Sequence, residues 1–343
     1  MTGPRQRRTV RIRPEIWPLA RPFRIARGAK SEARVIVVEI AQDDMTGRGE
    51  CVPYARYGET HESVLADITR LAQEVEGGAG RCDLYGAGAA RNAVDCALWD
   101  LEARLAGRTV WQHARLSEPS SLVTAWTIVI ESPGAMMRAA ADNRTRPLLK
   151  VKLDGECIME RMHAVREGAP EARLVIDANE AWTMDQLLHV ADDLAGLGVE
   201  MIEQPLPSSE DEALAGYRCP LVLCADESCH TADDIDRLAD LYDMVNIKLD
   251  KAGGLTGALA LRQAARKRGL RVMVGCMVST SLAMAPAMLV AEDADIVDLD
   301  GPLMLRVDRE GGIRYDGSVM HPPHVSLWGG GEFAGQGAPA AAR

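Results

Sequence analysis

Three strand-like segments lie in the middle of the chain: RLVIDAN (173–179), VEMIEQP (199–205) and LVLCADE (221–227). Each of them carries an acid at its end, and these acids are Asp177, Glu203 and Asp226. All strands of a parallel β/α barrel open at the same face, so acids at their carboxyl ends converge on one pocket. The segments therefore predict a barrel with three carboxylates at its mouth.

Lysine-bearing strands flank these acids. Lys150 and Lys152 lie two residues apart in LLKVKL (148–153), so both side chains point to one face of the strand. If that face lines the barrel interior, burial and mutual repulsion are expected to lower the pKa of both amines, which makes one of them a usable base. The alternative is that both lysines lie in solvent at the mouth of the strand.

A third lysine, Lys248, lies in MVNIKLD (244–250), the predicted sixth strand. In a closed barrel the sixth strand lies opposite the second, so bases on these strands can reach opposite sides of one substrate carbon. Lys251 lies at odd spacing from Lys248, and we expect it to be structural or solvated.

The acids and lysines together suggest one chemistry. A single acid at a strand end is usually a cap or a loop contact, but three on successive strands favour a metal site. Their oxygens suit Mg²⁺, and the sequence has no His/Cys cluster for a softer metal. Amines beside such a site suggest abstraction of a proton next to a metal-bound carboxylate.

A further acidic pair, Asp298 and Asp300, ends the predicted last strand. Two carboxylates on one face are a natural clamp for a substrate ammonium group. The alternative is that they cap the loop at Gly301 and Pro302.

The pattern of elements predicts two domains. Strands followed by helices over residues 1–115 indicate an α+β capping domain. Eight apolar strands alternate with helices over residues 116–302, which favours a closed barrel over an open doubly wound sheet. Residues 303–328, with a hairpin turning at Gly311 and Gly312, are expected to return to the capping domain. Residues 329–343 read as a disordered tail.

Composition limits the class of protein. The chain has 343 residues, with 39 Lys and Arg against 50 Asp and Glu, a net charge of −11 that argues against nucleic-acid binding. No segment reaches the length of a membrane span, and we find no signal peptide. Eight scattered cysteines predict reduced thiols and a cytoplasmic location. The composition is compatible with a homo-oligomer.

The order KVK (150–152), DAN (177–179), EQP (203–205), ADES (225–228) and NIK (246–248) resembles the enolase superfamily, in its muconate-lactonizing-enzyme subgroup. That resemblance implies an α/β fold, a modified (β/α)₇β TIM-like barrel whose N-terminal α+β capping domain is completed by C-terminal residues. The DLD pair (298–300) and the segments 87–107, 223–231 and 246–261 further resemble dipeptide epimerases, among them the L-Ala-D/L-Glu epimerases of peptidoglycan recycling.

The resemblance assigns roles to individual residues. It implies that Asp177, Glu203 and Asp226 bind Mg²⁺ and that Lys152 and Lys248 are the two acid/base catalysts, with Lys150 lowering the pKa of Lys152. It also implies that Asp298 and Asp300 hold the ammonium group of a dipeptide. An Arg in the first domain reads a Glu side chain in such enzymes, and Arg27 is the candidate here, with Arg24 and Lys30 as rivals.

The function that follows is Mg²⁺-dependent 1,1-proton transfer at the α-carbon of the C-terminal residue through an enediolate. The alternatives within the superfamily are a cycloisomerase, an o-succinylbenzoate synthase, an N-acylamino-acid racemase or an epimerase of other dipeptides. Asp298 and Asp300 favour a dipeptide epimerase over the cycloisomerase, the synthase and the racemase, because those three enzymes act on substrates without a free ammonium group. A non-catalytic metal-binding barrel is the alternative outside enzymes, and the lysine pair argues against it.

Overall fold

The first domain is an antiparallel sheet backed by helices. The computed structural model describes residues 7–26 and 28–330. The sheet has the order β1-β2-β3. Its elements are β1 Thr9–Ile25, β2 Gly28–Gln42, β3 Met45–Cys51, α1 His61–Glu76, α2 Ala89–Leu105 and α3 Val110–Ala114.

Helix α2 lies unusually close to β3. A Cβ atom on Gly47 would stand 2.2 Å from the carbonyl oxygen of Ala97, and one on Gly49 would stand 2.1 Å from that of Ala93. Only glycine allows this approach of backbone to backbone. The helix is consequently buried over most of its surface, which explains why it is rich in alanine.

The second domain is an eight-stranded parallel sheet. A two-residue strand, β4 Leu122–Val123, precedes it. The sheet contains β5 Trp126–Ile128, β6 Leu148–Lys152, β7 Arg173–Asp177, β8 Val199–Glu203, β9 Val222–Ala225, β10 Met244–Ile247, β11 Arg271–Gly275 and β12 Ile296–Asp298. Neighbours in sequence pair in order, and the amide of Ala125 donates to Val297 O at 2.8 Å beside the first and last strands. The predicted barrel is confirmed.

Helices connect the strands. They are α4 Pro133–Asp142, α5 Ile158–Gly168, α6 Met184–Gly196, α7 Ile235–Leu238, α8 Leu249–Ala252, α9 Leu255–Lys267 and α10 Ser281–Ala291. Helix α10 is buried along its whole length because it also contacts β3 of the first domain. No helix among residues 7–26 and 28–330 combines the length and apolar character needed to cross a bilayer.

The chain returns to the first domain after the barrel. Leu305 forms a β-bridge with Leu19, and Arg309 pairs with Glu15 and Glu50. The hairpin consists of β13 Tyr315–Asp316 and β14 Val319–Met320, and β14 also pairs with β4.

Two predictions for the C-terminal part of the chain need correction. The hairpin turns at Gly317, whose φ of 64° only glycine adopts readily, and not at Gly311 and Gly312. Gly329 and Gly330, assigned to the tail, are buried, and the amide of Gly329 donates to Asp100 Oδ1 at 2.7 Å. Residues 331–343 lie outside the described residues.

The pair between Arg309 and Glu50 joins the return segment to the first domain. Arg309 Nη2 lies 2.7 Å from Glu50 Oε2, and the Glu50 side chain is fully buried. Replacing Arg309 by Met would leave that carboxylate buried without its cation, so we expect the free energy of unfolding to fall by about 3–5 kcal/mol. Urea denaturation measures this change. The matched control is Arg70→Met in α1, where an exposed pair with Glu74 contributes about 0.5 kcal/mol or less. An equal fall in the free energy of unfolding of both variants would show that the buried pair with Glu50 stabilises the fold no more than the exposed pair does.

Candidate active site

Lys150 lies at the centre of the carboxylate cluster. Its side chain is 1% exposed, so the alternative of a solvated lysine is wrong. Its Nζ atom lies 2.7 Å from Asp298 Oδ2, 2.6 Å from Glu203 Oε2 and 3.1 Å from Asp177 Oδ2. Burial acts to lower the pKa of Lys150, but these three carboxylates outweigh it and hold the pKa well above its usual range. The sequence argument from a lysine pair predicted the opposite direction for this residue.

The other two lysines contact different acids of the cluster. Lys152 Nζ lies 2.5 Å from Asp177 Oδ2, and Lys248 Nζ lies 2.5 Å from Asp226 Oδ2. Lys152 ends β6, whereas Lys248 follows the last residue of β10. The site therefore holds two amines that come from the second and sixth strands, as the sequence predicted.

Lys251 is structural and is not solvated. It is 1% exposed, and Nζ donates to Asp226 Oδ1 at 2.6 Å and to the carbonyl oxygens of Asp226 and Asn246. The rule that odd spacing points a side chain away applies within a strand, but β10 ends at Ile247 and α8 follows. The helical turn directs Lys251 back toward the cluster.

The three acids have different charge environments. Burial and the nearby Asp177 raise the pKa of Glu203 to about 7, although Lys150 acts against them. Burial also acts to raise the pKa of Asp226, but Lys248 and Lys251 outweigh it and the pKa lies well below its usual range. The pKa of Asp177 is lowered in the same way, against burial, by Lys152 and Lys150.

The donor set fits Mg²⁺ in its chemistry. Asp177, Glu203 and Asp226 are all buried and offer only oxygen. Glu203 Oε2 accepts no well-formed hydrogen bond within the described residues, although Lys150 Nζ is 2.6 Å away. Within the same residues no three His, Cys, Asp or Glu side chains already surround a common point.

Asp298 and Asp300 occupy the end of the eighth barrel strand. Asp298 Oδ2 is bound to Lys150, whereas Asp298 Oδ1 is buried and has no hydrogen-bond partner in residues 7–26 and 28–330. Asp300 Oδ2 accepts from the amide of Thr127 at 2.9 Å. Burial, then the charge of Asp298, raises the pKa of Asp300 to about 7. The pair is buried rather than solvated, and one of its oxygens still lacks a donor.

A cavity of about 900 Å³ opens where the two domains meet. Lys152, Lys248 and Asp226 line it from the barrel, and Lys30 and Tyr54 line it from the first domain. The Lys30 Nζ atom lies 5.1 Å from the centre of the Tyr54 ring, a cation–π distance. The site is therefore built by both domains.

Of the three residues suggested to bind the substrate side chain, the structure describes the two rivals. Arg27 lies outside the described residues. Arg24 lines a neighbouring cavity of about 460 Å³, and of the two rivals only Lys30 lines the larger cavity with the catalytic candidates.

Sequence reasoning missed contacts at this mouth, one set between the domains and one within the barrel. Arg56 forms a two-pronged ion pair with Glu180, both contacts at 2.5 Å, and also donates to Ser208 Oγ. Asn246 Nδ2 donates to Glu203 Oε1 at 2.7 Å, which fixes one oxygen of that acid. Asn246 lies two residues before Lys248, so the alternation of β10 carried a signal for it. Nothing in the sequence linked Arg56 with Glu180.

The fold and the cluster define a class of protein. Residues 7–113 match the family model described as "Mandelate racemase / muconate lactonizing enzyme, N-terminal domain". Residues 135–324 match the model described as "Enolase C-terminal domain-like". The chain belongs to the enolase superfamily.

Several relatives within that family are epimerases or racemases. The L-Ala-D/L-Glu epimerase of Escherichia coli is 47% identical over 319 residues, which cover 92% of this chain and 99% of the relative. An N-acetyl-D-glutamate racemase from Pseudoalteromonas is 44% identical, with 86% of this chain and 95% of the relative covered. Both are isomerases by name, and this confirms the predicted enzyme class.

Solved structures agree with the fold. An enolase family member from Agrobacterium tumefaciens, with homology to dipeptide epimerases and with bound sodium and L-Ala-L-Glu, superposes with a TM-score of 0.92 at 46% identity. It covers 94% of this chain and 100% of its own. A dipeptide epimerase from Cytophaga hutchinsonii, complexed with Mg and D-Ala-L-Val, gives a TM-score of 0.87 at 27% identity, covering 95% of each chain.

Proposed function

We propose that this protein is a Mg²⁺-dependent dipeptide epimerase that inverts the α-carbon of the C-terminal residue, with L-Ala-D/L-Glu as substrate. One observation carries the proposal. Lys152 and Lys248 come from the second and sixth strands of the barrel, line one cavity, and each contacts a different member of a buried carboxylate cluster. Two amines so placed can serve the two faces of a carbon held between them.

The lysines carry the proton transfer. Starting from one epimer, the neutral amine of one lysine removes the α-proton, and the ammonium group of the other delivers a proton to the opposite face. In the reverse direction the roles exchange. The carbanion is expected to be an enediolate, whose negative charge needs nearby cations in a site closed to water. Lys150 is held as an ammonium group by its three carboxylates and adds fixed positive charge there.

Asp177, Glu203 and Asp226 would hold Mg²⁺. Bound Mg²⁺ supplies positive charge where the substrate carboxylate gains electron density.

The free ammonium group of a dipeptide fits the eighth strand. Asp298 Oδ1 is a buried acceptor without a donor, and such a group is costly unless a ligand satisfies it. An ammonium group brings three donors and a compensating charge. For the glutamate side chain of the substrate, Lys30 is a cation in the same cavity, and Arg27 keeps the role that the sequence suggested.

A second candidate is racemisation of an N-acylamino acid. The relative named N-acetyl-D-glutamate racemase supports it, since an N-acylated glutamate and Ala-Glu share their acidic half. The buried, unpaired Asp298 Oδ1 favours the dipeptide, because an acetyl group offers no donor to it.

Replacing Asp298 by Asn separates these two functions. We expect kcat/KM for L-Ala-L-Glu to fall by about 10–100-fold, since a charge-assisted hydrogen bond of roughly 1.5–3 kcal/mol is lost. Any activity on N-acetyl-L-glutamate should change much less. Polarimetry or NMR of both substrates with both proteins measures this. A larger loss on the N-acetyl substrate than on the dipeptide would favour the racemase instead.

The setting of the reaction is part of the same proposal. We place the enzyme in the cytoplasm and in recycling of murein peptides, where Ala-Glu dipeptides are released. All eight cysteines are free thiols, which supports a reducing compartment.

A further inference from the structure

Asp250 is a buried carboxylate that the proposed reaction does not use. It is 7% exposed, and no Lys, Arg or His among residues 7–26 and 28–330 forms an ion pair with it. Its Oδ1 atom accepts from the amide of Val52 at 3.0 Å and from Asn92 Nδ2 at 2.8 Å. Asn92 Nδ2 also lies 3.2 Å from the carbonyl oxygen of Glu50. One carboxylate oxygen thus joins the barrel to a loop and a helix of the first domain.

The position of Asp250 relates it to Lys248. Lys248 lies one residue beyond β10, so strand pairing does not fix it. Instead, its carbonyl oxygen accepts from the amides of Lys251 and Ala252, both at 3.0 Å, in the short helix α8 that contains Asp250. Whatever holds α8 therefore also holds the backbone of Lys248.

Lys152 has a different support. It is the last residue of β6 and pairs in register with Asp177 of β7. The barrel sheet itself fixes its backbone, and Asp250 lies elsewhere in the chain and in the fold. The two proposed proton-transfer residues are accordingly held by independent structures.

The hydrogen bond from Val52 connects Asp250 to the wall of the active-site cavity. Val52 and Lys248 both line the cavity of about 900 Å³, so the hydrogen bond from the Val52 amide to Asp250 connects two walls of the same pocket. A neutral acceptor would suffice for packing alone, since burying a carboxylate without a cation is costly. Burial raises the pKa of Asp250 to about 7, against the two hydrogen bonds it accepts.

We infer that Asp250 is a positioning residue for Lys248. Asp250 anchors α8 to the first domain and so aligns the Lys248 amine, which serves one face of the substrate α-carbon only. The inference rests on the proposed function. It assigns to Asp250 an effect on one half of the proton transfer, which a merely stabilising residue would not have.

The test is α-proton exchange in D₂O, followed by NMR from each epimer of Ala-Glu separately. Lys248→Ala identifies the epimer whose exchange depends on Lys248. For Asp250→Asn we expect that same epimer to exchange at least ten times more slowly than in the unaltered enzyme, while the other epimer changes less than threefold. Asn92→Ser, which removes one of the two donors to Asp250, should show the same bias to a smaller degree and serves if Asp250→Asn does not fold.

Glu59→Gln is the matched control. Glu59 accepts from the amides of Tyr54 and Ala89, so it holds the same loop of the first domain, and neither of these hydrogen bonds involves α8. It should slow both epimers alike. Equal slowing by Asp250→Asn would overturn the inference and leave the proposed function standing. If the unaltered enzyme exchanges neither epimer, the proposed function fails and the inference fails with it.

Discussion

Replacing Lys248 by Ala should strongly slow epimerisation while one of the two epimers still exchanges its α-proton with solvent. Lys152→Ala should give the mirror result, with exchange confined to the other epimer. Each variant lacks the base for one face and retains the base for the other. Epimerisation needs both and is expected to fall by about 10²–10⁴-fold in either variant. Incubation of each pure epimer in D₂O, with deuterium measured by NMR, gives both quantities.

The control for this pair is Lys267→Ala. Lys267 is exposed at the end of α9 and does not line the active-site cavity, so its loss should leave both rates unchanged. If Lys152→Ala and Lys248→Ala lose exchange from the same epimer, the two lysines act on one face and the account of a two-base reaction is wrong.

Replacing Glu203 by Gln should remove the response of the protein to Mg²⁺. Glu203 is central in the acid cluster, and a ligand that binds only the folded state stabilises it by about 2.7 kcal/mol at a hundred times its Kd. The melting temperature of the unaltered enzyme should therefore rise with Mg²⁺ and fall again with a chelator. We expect Glu203→Gln to show little or no rise and to lose epimerase activity.

Glu200→Gln is the matched control, because Glu200 lies on the same strand, β8, but is exposed and paired with Arg173. It should respond to Mg²⁺ as the unaltered enzyme does. An equal rise in Glu203→Gln and Glu200→Gln would place the cation away from the three acids.

The barrel was predictable because its signals are local and repeat. Each of the eight apolar strands is short, and three successive ones have an acid at or just after their carboxyl ends, so position along the chain alone placed Asp177, Glu203 and Asp226 together. The main features of the first domain followed from the same kind of pattern, since its strands precede its helices in the chain.

What the sequence could not give depends on contacts between distant segments. The ion pairs of Lys150 with Asp298 and of Arg56 with Glu180 join residues 148 and 124 positions apart. The raised pKa of Lys150 follows from such contacts, which is why reasoning from the neighbouring Lys152 alone gave the wrong direction. For Lys251 the structural alternative holds, but its contact with Asp226 was missed for a local reason, because β10 ends earlier than the alternation suggested.

Epimerisation at the glutamate α-carbon is measured by ¹H NMR of L-Ala-L-Glu in D₂O with the unaltered enzyme and Mg²⁺. We expect the α-proton signal of the glutamate residue to disappear as deuterium enters, the alanine α-proton signal to stay, and the signals of L-Ala-D-Glu to grow to a near-equal mixture. Loss of neither α-proton over many hours, with folded protein and excess Mg²⁺, would contradict epimerisation of this dipeptide and leave the two lysines without the roles proposed for them.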